Sequence, residues 1–236
     1  LGLRTGLVAG FGDDAYAQWM WETLADGERI DLSSSPRFKR FHSATTVAMT
    51  VGGDRAMVTH MHELPEPLEP YILGAPKARA AVLDLAGETS WWPTLASRGT
   101  LLFADIGYDD SGKWDPAVLE PLKHCHAFTP NAVEAMHYTR TDSPTQAVRE
   151  IANFVPFAVV TDGVAGAYAI DQSTGEEAYC PAVAVEAIDA TGAGDVFASA
   201  LVLGPLAKWP LEHRLRFAAL CSSLAVQQLS LIHISE

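Results

Sequence analysis

The chain has 236 residues, of which 48% are hydrophobic and 19% charged, with 18 Gly and 14 Pro; this excludes a disordered or fibrous protein and leaves a globular one able to bury a sizeable core. Sixteen basic against 29 acidic residues give a formal net charge of −13, which repels phosphate backbones at long range and argues against nucleic acid as a partner. No apolar run approaches the roughly 18 residues of a membrane span and the N-terminus carries no signal-peptide pattern.

In chain order, short β-rich apolar runs alternate with amphipathic helical stretches, the pattern of a mostly parallel sheet flanked by helices. Strands are expected near 5–10, 80–84, 100–105, 126–129, 157–161, 166–170 and 177–180. Helices are expected near 13–26, 66–74, 115–122, 131–138, 144–153, 193–203 and 211–229. The first glycine loop, "VAGFGDDA", has the G-x-G-x-x-A spacing of a dinucleotide site at Gly10, Gly12 and Ala15, but Asp13 and Asp14 stand where pyrophosphate would bind. Two carboxylates there satisfy the free amides and repel a second anion, so the stretch reads as a helix N-cap. "HSATTVAMTVGGDRAMVTHM" alternates polar and apolar residues about Gly52-Gly53-Asp54, which predicts a β-hairpin over 42–62, inserted as a lid.

Two paired-histidine stretches, "HMH" at 60–62 and "HCH" at 124–126, lack convergent ligand spacing, since successive residues on a strand point to opposite sides, and are not read as a metal site. The acidic "YDDSGKWDP", 108–116, follows the strand ending in Asp105; it either lines a pocket or is a solvated loop, and the loop is the plainer reading. Cys125, Cys180 and Cys221 are separated and odd in number, which suits a reducing compartment and makes the cytoplasm the expected location.

The most informative stretch is "DATGAGDVFASALV", 189–202. Gly192, Ala193 and Gly194 let the backbone approach a ligand and aim several amides at one point, while the following helix adds its positive end. Asp195 at the edge of this anion cradle can accept a proton from an incoming hydroxyl as charge develops on a transferred phosphoryl group. The plain alternative is that Asp195 is another N-cap.

That string resembles the C-terminal signature of the ribokinase-like carbohydrate kinases of PfkB type, usually D-T-x-G-A-G-D followed by a helix of small residues. "TGLVAGFGDDAYAQWMWETL", "FTPNAVEA" and "VVTDGVAGAYAI" resemble the family's early strand and helix, its N-x-x-E segment and its T-x-G strand and turn, in matching order. The resemblance implies a three-layer α/β/α fold over 1–229 and an ATP-dependent, Mg²⁺-requiring transfer of the γ-phosphoryl group to a hydroxyl of a sugar or sugar-like alcohol. It implies Asp195 as base, Gly192, Ala193 and Gly194 as anion hole, and Asn131 and Glu134 as organisers of the phosphates and, through water, of Mg²⁺. It further implies Thr161 and Gly163 as nucleotide contacts, and Asp189 and Thr191 beside a monovalent cation such as K⁺. The lid hairpin is the expected surface for a homodimer.

The sequence departs from the family pattern in three places. Ala190 stands at the second signature position. The family's opening strand with a substrate-binding Asp and its Gly-Gly…Asn segment do not precede Leu1, and the usual C-terminal loop is missing; 230–236 reads as a non-native tail. The expectation is therefore a kinase truncated at both ends. A nucleoside or sugar-phosphate kinase of the same fold, an inactive nucleotide-binding fragment and a dinucleotide-binding protein are the alternatives.

Overall fold

The computed structural model describes residues 3–51 and 54–228; the Gly52-Gly53 turn and the tail 230–236 lie outside that range. The chain divides into two compact units, Leu1–Pro76 and Lys77–Glu236.

In the first unit, α1 (Ala15–Glu22) continues into a π-helical turn, Thr23–Gly27. Asp14 is its N-cap, with a carboxylate that accepts from the Tyr16 and Ala17 amides at 2.9 and 3.0 Å. Asp13 accepts from the Arg40 amide at 2.8 Å, and that bond holds its carboxyl below the usual range. Both acids are thus engaged as the capping reading of "VAGFGDDA" requires, and a side chain at Gly12 would collide with the Phe41 carbonyl at 2.2 Å. The strand expected over 5–10 does not form as a ladder. Parallel bridges occur singly, Gly6 with Asp31 and Phe11 with Arg37, because Ser35 and Ser43 hydroxyls take over bonding to the Ala9 and Gly12 amides. The hairpin is present: β1 (Thr45–Val51) and β2 (Asp54–His60) pair antiparallel, with Val47 opposite Val58 and Val51 opposite Asp54. The short α2 (Glu69–Gly74) closes this unit.

The second unit holds a six-stranded sheet in the order β3 (Ala80–Asp84), β4 (Leu101–Asp105), β5 (Ala127–Phe128), β6 (Phe157–Thr161), β7 (Ala167–Asp171), β8 (Glu176–Cys180). The first four strands run parallel, β7 pairs antiparallel with β6, and β8 pairs antiparallel with β7. Pro93 opens α3 (Trp92–Ser97) and Pro144 opens α5 (Pro144–Ile151), positions where a missing amide costs nothing. Residues 116–124 form a 3-10 helix and not the expected α-helix. Pro121 in its interior has no amide to donate and its ring crowds the preceding turn.

Helices α6 (Ala193–Ala207) and α7 (Leu211–Ala225) pack with Phe103, Phe157, Val159, Ala167 and Ala169 in one core cluster. Tyr168 and Ile170 alternate with those alanines on β7, and α5 lies on their side, the groove between them being lined by Thr145, Val148 and Arg149. Helices therefore cover both faces, and β6, "FAVVT", is buried along its length apart from its last residue. The far end of this unit is stapled by an ion pair: Arg214 donates to Asp171 at 2.8 Å and to the Trp209 carbonyl at 2.7 Å, with its guanidinium over the Phe157 ring. Among the described residues no helix is long and apolar enough to cross a membrane.

Candidate functional site

Parallel strands deliver their carboxyl ends to one edge, where loops and helix N-termini collect. In the second unit that edge carries Asp105 at the end of β4, Asn131 beyond β5, and Thr161 at the end of β6. Asn131 forms a parallel bridge with Thr161, whose amide donates to the Pro130 carbonyl at 3.1 Å.

Asn131 caps α4 (Ala132–Thr139) in a reciprocal capping box. Its Oδ1 accepts from the Glu134 amide, and Glu134 Oε2 accepts from the Asn131 amide, each at 3.0 Å. Glu134 is nonetheless buried, at 6% exposure. Burial pushes its carboxyl above the usual range, against the pull of the two Asn131 bonds. A surface cap has no reason to hold a carboxylate in such a place.

The signature loop is tied down at the end of α7. The Ile188 and Asp189 amides donate to the Val226 carbonyl at 2.8 and 3.1 Å, and Ser222 Oγ donates to the Ala193 carbonyl at 2.9 Å. Asp189 Oδ1 accepts from the Thr191 amide at 2.8 Å and the Thr191 hydroxyl at 2.6 Å. Gly192, in the left-handed region at φ 75°, is the N-cap of α6, a conformation that costs a residue with a Cβ. Asp195 is therefore not the cap; it stands exposed in the first turn. The Ala193 amide donates to the Ala190 carbonyl at 3.2 Å, whereas the Gly194 and Asp195 amides have no backbone partner among the described residues, as first-turn amides do. A Cβ at Gly194 would meet nothing within 4 Å. Gly163 lies in a 3-10 turn after β6 with φ 51°, also facing open space.

One residue that sequence reasoning passed over joins this edge. Asp105 is pushed up to about 7 by burial, opposed by a bond from the Ile106 amide and reinforced by the negative charges of Glu134, Asp195 and Asp84. Asp105, Glu134 and Asp195 thus share one electrostatic neighbourhood. Among the described residues no three His, Cys, Asp or Glu side chains converge to hold a metal ion directly. The arrangement suits a divalent cation attracted by several carboxylates and ligated largely by water and phosphate oxygens.

Comparison with known proteins matches residues 85–236 to the model of the pfkB family carbohydrate kinases. The chain is 29% identical to a fructokinase of Klebsiella pneumoniae, over 97% of its own length and 78% of that protein. It is 34% identical to a ribokinase of Schizosaccharomyces pombe, over 48% of its own length; this match spans only 40% of that ribokinase. In fold it is similar to an Arabidopsis thaliana ribokinase complexed with ribose and ATP, with a TM-score of 0.79 at 22% identity over 97% of this chain and 78% of that one. A fructokinase of Vibrio cholerae O395 in a form with fructose, ADP and calcium bound gives 0.80 at 19% identity, over 97% and 81%.

Proposed function

The chain belongs to the pfkB family of carbohydrate kinases, and from that premise we propose that it transfers the γ-phosphoryl group of ATP to a hydroxyl of a sugar or sugar-like alcohol. The observation that carries this reading is the start of α6: an exposed carboxylate, Asp195, beside two amides with no backbone partner among the described residues and a glycine whose side-chain space is empty. Asp195 takes the proton of the acceptor hydroxyl as its bond to phosphorus forms, while the amides of Gly194 and Asp195, set by the turn at Gly192 and Ala193, hold the transferring oxygens. Thr161 and Gly163 contact the nucleotide at the end of β6. Glu134, fixed by Asn131, and Asp105 would hold Mg²⁺ through water, and the ion would supply neutralisation of charge on the phosphates.

Three finer readings accompany this one. The loop Asp189–Thr191 borders a K⁺ site, which predicts faster turnover in potassium than in sodium buffers. The hairpin over 42–62 is a lid within a single kinase domain spanning 1–229. Val47, Met49 and Val58 share one face of it and are each about half exposed or more, so the hairpin also joins two copies in a homodimer; sedimentation should show monomers for Val58→Lys. The three unpaired cysteines suit the cytoplasm.

Gly194→Ala separates binding from folding. Replacing a glycine in an exposed helical turn by alanine stabilises by about 0.5–1 kcal/mol, and the new methyl group meets no protein atom. The unliganded melting temperature should therefore rise while the increase produced by Mg-ATP shrinks. At 100 times Kd the wild-type increase corresponds to about 2.7 kcal/mol. Calorimetry with and without Mg-ATP measures both. A wild-type chain indifferent to Mg-ATP, or a variant with an undiminished response, would overturn the phosphate cradle.

A further inference from the structure

The loop between β4 and the 3-10 helix, residues 106–115, starts at Asp105 and so begins inside the carboxylate neighbourhood of the candidate site. It is held firmly. Asp109 accepts from the Ser111 amide at 2.9 Å and the Trp114 amide at 2.7 Å. Trp114 is buried, stacks on His137 at 4.5 Å and 14°, and meets Tyr138 edge-on at 5.1 Å. Arg140 donates to the Lys113 and Trp114 carbonyls, each at 2.9 Å. These contacts keep Trp114 at φ 48°, a conformation a bulky residue keeps only when its surroundings over-determine it. Through His137 and Tyr138 the loop packs on α4, the helix whose first turn carries Asn131 as its cap and Glu134.

Two properties of this loop bear on what it meets. Tyr108 is set edge-on against Trp114 at 4.9 Å and 90°, yet remains 64% exposed; its ring is oriented and mostly open to solvent. An aromatic face of this kind offers apolar contact to the C–H face of a sugar while its rim stays wet. The loop's charge is also one-sided. Asp109, Asp110 and Asp115 follow Asp105, and Lys113 is the one base within 106–115; the Arg140 guanidinium that reaches the loop is bonded to carbonyls. An acceptor already bearing a phosphate or carboxylate would meet like charge here, with no cation held in place to receive it.

Resting on the sugar-kinase reading, we propose that residues 106–115 select an uncharged sugar as acceptor, stacking it on Tyr108 and rejecting acceptors that carry a phosphate or a carboxylate. Tyr108 is a specificity residue: its loss weakens acceptor binding and leaves the phosphate cradle unchanged.

The test is to measure melting temperatures of the full chain with Mg²⁺ and a non-hydrolysable ATP analogue, adding neutral pentoses and hexoses, their monophosphates, or aldonic acids. ADP release from Mg-ATP is followed with the same compounds. At least one neutral sugar should raise the melting temperature, and no phosphorylated or acidic sugar should do so more strongly. Tyr108→Ala and Tyr108→Leu should lose that increase and show KM for the sugar raised about tenfold or more, with the response to the ATP analogue retained. Lys113→Ala should behave as wild type. A preference for a sugar phosphate or acid, loss of acceptor binding in Lys113→Ala, an unaltered response in both Tyr108 variants, or no response to any neutral sugar would each overturn the proposal. Stabilisation by a neutral sugar without ADP release would uphold it and count against the phosphotransferase reading.

Discussion

Asp195→Asn is expected to lower the rate of phosphoryl transfer by about 10²- to 10⁴-fold, the usual contribution of a positioned general base, with KM for ATP changed little. The substitution keeps the shape of the side chain and removes its ability to take a proton. It should also leave the fold intact, because Gly192 rather than Asp195 caps α6, and the loop before it is bonded to Val226 and Ser222 independently of that carboxylate. The cost to the helix is limited to losing a negative charge from its first turn, about 0.3–1 kcal/mol. The amides of Gly194 and Asp195 belong to the backbone and remain, so the nucleotide response should persist. Steady-state kinetics and calorimetry on the same preparation decide the matter: near-normal turnover would remove Asp195 from the chemistry, and joint loss of turnover and nucleotide binding would make it a structural residue.

The strands at 80–84, 101–105 and 157–161 are legible because each is an apolar run bounded by turn chemistry, and buried parallel strands look like that. The run at 5–10 looks the same, yet serine hydroxyls and isolated bridges replace its ladder; periodicity reports burial and says nothing of which group a backbone amide will find. The same limit applies at 116–124, where the apolar pattern suits a helix and Pro121 selects the tighter one. At the site, Asp195 could be found because its cradle is contiguous in sequence, and Asn131 with Glu134 because a capping box is local. Asp105 could not. Its character comes first from burial and then from the charges of Glu134 and Asp195, far along the chain, brought near by parallel pairing of β4 with β5 and by the placement of α6. The available signal was an acid closing an apolar strand, which is common. Glu134 shows the converse: a capping box is legible in N-x-x-E, whereas the burial of its carboxylate is set by the packing around α4 and is not.

That shared neighbourhood makes Asp105 the residue through which pH should act most strongly. Its carboxyl titrates at about 7 in the folded chain against an ordinary 3.8, so the native state keeps a proton that the unfolded state has released. Stability attached to this group is then full below about pH 4 and is lost as pH rises to about 7, beyond which it stays lost. The span corresponds to about 4 kcal/mol, a ceiling because Asp105 is only partly buried. Asp171 acts in the opposite sense: burial raises its carboxyl, but bonds from Ser173 and Arg214 outweigh that and hold it below 3.8, so its stabilisation fails only in stronger acid. Asp105→Asn isolates the first effect, since the amide oxygen still accepts from Ile106 and carries no charge at any pH. Metal-free wild type and variant should melt together near pH 4 and diverge upward, the variant exceeding wild type at pH 8 by up to about 8–15 °C. Saturating Mg-ATP should narrow the gap, because a cation favours the ionised carboxylate that only the wild type possesses. A difference between the two proteins that does not change with pH would mean that Asp105 is ionised throughout and that the cluster of acids does not act as a unit.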